Sequence, residues 1–218
     1  EIEEKEAKAG ETVSFDTRIT GTEPVSVLEV SSIPPLNLEQ RLSYLLDYPH
    51  GCAEQITSQA FPQLALSWLL ALSPAQQITA ENNVREVINR LRSYQTPEGG
   101  FAYWPGEPYI SEWATSYAVN FLANAQKQGY AVPIQMLQHA TNYMRQVANS
   151  WNRTEPWSQQ DQAYRLYVLA LAGKPDLAAM NRLKETRLQR PVSQWLLASA
   201  YALSNQQEIA TKMIRDLS

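Results

Sequence analysis

Cysteine and histidine are nearly absent from this chain: 218 residues contain one cysteine, Cys52, and two histidines, His50 and His139. A single thiol excludes an internal disulfide. That suits a reducing compartment, or a secreted protein whose one thiol is consumed in another bond. No apolar run reaches the ~18 residues that a membrane-spanning helix requires. Charge of one sign is also lacking, with 18 Lys and Arg against 22 Asp and Glu, a net charge of -4 and a pI near 5.3. Such a chain carries no electrostatic footprint for nucleic acid. The first residues, Glu1-Ile2-Glu3-Glu4-Lys5, are charged and do not read as a signal peptide. A chain of this length buries about 70% of its unfolded surface, enough for one or two domains with a substantial core.

The charge is unevenly spread. Residues 1–31 hold eight acids against Lys5, Lys8 and Arg18, which leaves the remainder at about +1 and marks a boundary. Thr12–Ile19 and Val25–Val30 alternate apolar and polar residues with the period of half-buried strands, and Gly21-Thr22-Glu23-Pro24 reads as the turn between them. Two strands alone are marginal in water. Residues 1–33 are therefore expected to be the β segment of an adjoining β-sandwich (CUB-like) domain, with a disordered acidic arm as the alternative.

After Ile33-Pro34-Pro35 the texture turns helical. Leu38, Leu42, Leu45 and Leu46 form one stripe with Asn37 as N-cap, and a second helix is expected to start at Cys52 and to kink or restart at Pro62. Further helices are predicted near 79–95, 112–128, 133–150, 158–172, 176–189, 192–204 and 206–217. Short loops between them imply antiparallel neighbours. The fold class is thus mainly α, with residues 34–218 either a bundle or a ring of hairpins, and an α/α toroid, a partial or complete ring of antiparallel hairpins, is expected. Gln95-Thr96-Pro97-Glu98-Gly99-Gly100-Phe101 has the Gln-x-x-x-Gly-x-aromatic form of such rings, in which glycine allows a tight turn and the aromatic seals adjacent hairpins.

Cys52 stands three residues before Gln55 at the start of a predicted helix. Thiol and side-chain amide held on one turn can react with each other, since prior positioning can supply roughly 7–11 kcal/mol of a barrier. The product is a γ-glutamyl thioester from Cys52 to Gln55, with ammonia lost. The positive end of the helix dipole favours the thiolate that attacks. Glu54 is a candidate for proton transfer as ammonia leaves, although the same dipole explains a carboxylate there. Taken singly, Cys52 reads as a small buried apolar side chain and Gln55 as a capping residue.

Pro49-His50-Gly51-Cys52-Ala53-Glu54-Gln55 resembles the signature Pro-x-Gly-Cys-x-Glu-Gln of the α2-macroglobulin and complement thioester proteins. The run Gly99–Gly106 followed by Trp113–Val119 is similar to the bacterial α2-macroglobulins, and the likeness extends from the segment before Pro34 to at least Gly129. The family's thioester domain is a ring of about six hairpins, so the resemblance implies a truncated ring here. It also implies a broad-spectrum protease inhibitor rather than an enzyme. Bait cleavage exposes the thioester, which captures the attacking protease through lysine amines.

A stable thioester needs a dry enclosure, for which Gly51, Tyr48, Phe61, Tyr103, Trp104, Tyr109 and Trp113 are the candidates, with ordinary core packing as the competing reading of each aromatic. Complement proteins that prefer hydroxyl targets use a histidine on a distant loop. The matching segment here, Ser150–Trp157, has none, so the expected chemistry is direct aminolysis. The partners implied are attacking proteases and other domains of the parent chain, with no nucleic acid, cofactor or metal. The place implied is the periplasm, any membrane anchor of the parent lying in a segment absent here. The alternatives are an α/α-toroid enzyme (terpene cyclase-like, a glycosidase using the carboxylates of Glu98, Glu107 and Glu112, or a cysteine hydrolase) and a non-covalent scaffold in which Cys52 stays a free thiol.

Overall fold

The computed structural model describes residues 5, 7, 8, 10–15, 30, 46, 51–152 and 155–215. The chain divides into two compact units, Glu1–Asn37 and Leu38–Ser218. In the first, Lys5 donates through Nζ to the Ser14 carbonyl at 2.6 Å and sits over the Phe15 ring at 5.0 Å. Residues 11–15 form no strand. Most of the two segments expected to be strands, and all of the helix expected at residues 37–46 except Leu46, lie outside the described residues.

The second unit is helical. Its described elements are α1 (Ala53–Ala60), a 3₁₀ turn at Pro62–Leu64, α2 (Leu66–Leu69), α3 (Pro74–Arg90), a 3₁₀ turn at Leu91–Ser93, α4 (Glu112–Lys127), α5 (Ile134–Ser150), α6 (Pro156–Leu171), α7 (Leu177–Glu185), α8 (Pro191–Leu203) and α9 (Gln207–Arg215). Local chemistry sets most of the boundaries. Pro62 stops α1 and opens the 3₁₀ turn, as its missing N–H and fixed φ require. Pro74, Pro156 and Pro191 each stand at the first turn of a helix, where an N–H has no partner to lose. α3 starts five residues earlier than the hydrophobic period suggests, because Ser73 caps it. Ser73 Oγ accepts the Gln76 N–H at 3.3 Å while Gln76 Oε1 accepts the Ser73 N–H at 2.8 Å. α7 is shorter than expected, ending before Arg187, whose φ of 55° leaves the helical region.

Helices α4 to α9 are joined by loops of three to six residues. α1, α4, α6 and α8 form one packed series, α1 on α4, α4 on α6 and α6 on α8, while α3 packs on α1, α5 on α4 and α6, α7 on α6 and α8, and α9 on α8. This is the inner-and-outer layering of an α/α toroid. Small side chains at the seams, among them Ala114, Ala118, Ala163 and Ala200, let the inner helices approach closely, while Ile56, Leu91, Phe101, Phe121, Met144, Leu166 and Tyr201 fill the core. Between α6 and α4, the guanidinium of the buried Arg165 binds the Glu112 carboxylate and Gln162 Oε1. Burial lowers the Arg165 pKa and, with Glu112 nearby, raises that of Tyr143.

The 94–111 connection from α3 to α4 has the glycine turn expected of it, with its glutamine as a further tie. Gln95 Nε2 donates to the Gly99 carbonyl at 2.8 Å and to the Met136 carbonyl of α5 at 2.9 Å. Gly99 has a φ of 100°, and a Cβ there would lie 2.6 Å from the His139 carbonyl oxygen. Only glycine lets this turn sit against α5. Short antiparallel bridges pair Gln95 with Phe101 and Ala102 with Ile110.

Candidate functional site

Cys52 is the N-cap of α1, with extended dihedrals of φ −72° and ψ 171°. Gln55, at the third helical position, folds back so that Oε1 accepts the Cys52 N–H at 3.0 Å. The Cys52 side chain faces the Gln55 N–H without the geometry of a true hydrogen bond, as suits a weak sulfur acceptor. Thiol and carboxamide therefore share one turn. Gly51, at φ 111°, makes room for this: a Cβ on it would stand 2.0 Å from Gln55 Oε1 and 2.9 Å from Gln55 Cδ.

Two contacts from the 94–111 connection hold the turn. The hydroxyl of Tyr94, a side chain only 3% exposed, donates to the Gly51 carbonyl at 2.8 Å, and the Ala53 N–H donates to the Tyr103 carbonyl at 2.8 Å. Neither was foreseen. Tyr94 lies 43 residues from Gly51, and nothing in the local pattern distinguishes it from a core tyrosine. Glu54 is half-buried in the first turn of α1 and Gln55 is exposed.

The residues expected to enclose the turn take different places. Tyr103 is brought to the motif through its backbone. Trp104 is 51% exposed and Tyr109 83%. Trp113 stacks on Tyr117, with ring centroids 6.0 Å apart, and tilts against Tyr164 at 5.3 Å, in a row of aromatics along α4 and α6. Phe61 is not at the motif. It follows the far end of α1, nine residues and roughly 13 Å of helical rise from Cys52, where it meets Tyr117 and Phe121 edge-on. Tyr48 and His50 lie outside the described residues. His139 is exposed on α5.

Burial pushes the Tyr164 hydroxyl up to about 12, so it stays protonated near neutrality. Burial likewise raises Asp161. Among the described residues no group of three or more His, Cys, Asp or Glu side chains is placed to hold a metal ion. No described helix is long and apolar enough to cross a membrane. The turn presents a thiol, a side-chain carbonyl three residues on, and a backbone N–H on that carbonyl's oxygen.

A family model described as the A-macroglobulin TED domain matches residues 26–151. The chain is 29% identical over 199 residues to the α2-macroglobulin of Xylella fastidiosa strain Temecula1, an alignment that spans 83% of this chain and 12% of that protein. Native Escherichia coli α2-macroglobulin, solved from domain MG7 to its C-terminus, superposes with a TM-score of 0.71 at 26% identity over 84% of this chain and 31% of that one. Salmonella α2-macroglobulin reacted with methylamine superposes with a TM-score of 0.70 at 27% identity over 84% and 13%.

Proposed function

The chain belongs to the A-macroglobulin TED domain family, and from that premise we propose that it is the thioester module of a bacterial protease inhibitor, in which a Cys52–Gln55 thioester captures attacking proteases through their lysine amines. The observation that carries this reading is the single turn on which Gln55 Oε1 accepts the Cys52 N–H beside the thiol. The family name supplies the inhibitor class, and the reaction of the Salmonella relative with methylamine supports an electrophile that amines open. The chain covers 12% of the length of its Xylella relative. The bait, the trigger, the remaining shield of the thioester and a periplasmic location are accordingly assigned to the parent protein.

Ring closure and capture balance simply. Cys52 Sγ adds to Gln55 Cδ, the C–N bond breaks, and ammonia leaves with the thiol's proton. A lysine amine later adds to the same carbon, Cys52 leaves as thiolate, and the amine's proton neutralises it. The glycosidase alternative is weakened because Glu112, the carboxylate beside the exposed Trp113, is engaged by Arg165 rather than free to act as an acid.

Intact mass tests the proposal. The native protein is expected to be one ammonia lighter than its sequence, with Cys52 inert to thiol reagents. Methylamine is expected to add at Gln55 and to liberate the thiol. Native protein of full sequence mass with a titratable Cys52 would overturn the thioester.

A further inference from the structure

We propose that Tyr94 is a positioning residue for the acyl chemistry at Gln55, acting through the Gly51–Cys52 peptide. This rests on the thioester reading of the site. The carbonyl that accepts the Tyr94 hydroxyl and the N–H that donates to Gln55 Oε1 belong to one peptide unit. In a planar trans peptide these groups point in opposite directions. Fixing the carbonyl therefore aims the N–H, and here it is aimed at the oxygen on which charge develops.

When Cys52 Sγ adds to Gln55 Cδ, the π pair of the carbonyl moves onto Oε1, which already lies 3.0 Å from the Cys52 nitrogen. That is the distance expected of an oxyanion donor. Collapse of the adduct restores the carbonyl, breaks the C–N bond and releases ammonia bearing the thiol's proton. Aminolysis of the thioester passes through an oxyanion on the same atom, so one donor serves both directions.

The peptide needs holding. Gly51 has no side chain to anchor it, and at φ 111° it sits in a region where glycine moves freely. Tyr94 is fixed at both ends of its reach. Its N–H donates to the Leu91 carbonyl at 3.1 Å and its carbonyl accepts the Ala102 N–H at 2.9 Å. Two hydrogen bonds in series through one peptide also polarise each other, which strengthens the second.

The test compares the protein with Tyr94→Phe and, as a control, Tyr201→Phe. Tyr201 is equally buried, and its hydroxyl also makes one hydrogen bond, to Asn181 Oδ1 at 2.7 Å in the α7–α8 hairpin. Thermal melts gauge the fold, while intact mass over time gives the rate of ammonia loss after refolding and the rate of methylamine uptake. Deleting a whole oxyanion donor costs 10²–10³ in rate. Tyr94→Phe keeps the donor and loses only its aim, so both rates are expected to fall on the order of tenfold, with Tyr201→Phe unchanged at a similar melt. Equal rates in Tyr94→Phe and the parent, or equal slowing in both variants, would overturn the role of Tyr94 alone. A parent protein that never loses ammonia would instead overturn the thioester reading and this role with it.

Discussion

A methyl group at position 51 would stand 2.0 Å from Gln55 Oε1. The oxygen ends a flexible side chain and can swing aside, but in doing so it leaves the Cys52 N–H. The left-handed backbone of residue 51 then costs a Gly51→Ala variant about 1–2 kcal/mol of stability. Its chemistry suffers more. We expect Gly51→Ala to melt cooperatively a few degrees below the parent yet to retain its ammonia by intact mass, and a variant that still formed the thioester at the parental rate would show that this glycine does not matter to the bond. Sequence spacing was enough to pair Cys52 with Gln55, because three residues on a helical turn is local geometry. It could not find Tyr94, whose partner is remote in the chain. It also placed Phe61 in the enclosure by nearness in sequence, and the rise of α1 carries that ring to the other end of the helix.

Helix ends show the same division between local and distant causes. Proline starts at α3, α6 and α8, and the stop at Pro62, follow from residues within a turn of the boundary. The Arg165–Glu112 contact between α6 and α4, 53 residues apart, does not. Asp176, the N-cap of α7, combines both kinds. It accepts the Ala179 N–H at 3.0 Å and Asn149 Nδ2 of α5 at 2.8 Å, with Arg145 at 4.0 Å. Burial alone would raise its pKa, but these partners hold it below the ordinary carboxylate value. A depressed folded pKa means the stabilisation is complete above the unfolded value of about 3.9 and is lost as pH falls through the lower folded one. Asp176→Ala is therefore expected to cost about 1–2 kcal/mol at pH 7. The gap between variant and parent in thermal melts should narrow below about pH 4, and a gap independent of pH would refute the ionic part of this account.

At the scale of the whole molecule, the side-by-side packing of consecutive helices was legible from helical periods and short loops, since helices with little chain between them must lie as neighbours, whereas the assignment of α1, α4, α6 and α8 to one series was not. Which face of each helix turns inward was not, because the alanine seams read equally well as either face. The chemistry expected of the molecule follows from its scarcity of histidine. On the proposed reading, in which no imidazole acyl carrier intervenes and amines attack the thioester directly, methylamine uptake should rise with pH as free amine accumulates and should far exceed glycerol uptake. His50→Ala and His139→Ala are expected to keep that preference. Loss of a strong glycerol reactivity in either variant would identify an acyl carrier instead.

The Gln95 bond to Met136 spans 41 residues and clamps the 94–111 connection to α5. That connection in turn grips the Gly51–Cys52 peptide through Tyr94 and the start of α1 through Tyr103. On the proposed thioester reading, a turn held through this clamp is expected to take its reactive shape only once α5 has docked, after a long stretch of the chain has folded. Each released ammonia would then be a timestamp on a finished tertiary event, and a nascent or misfolded chain, lacking that clamp, would keep its glutamine and stay chemically disarmed.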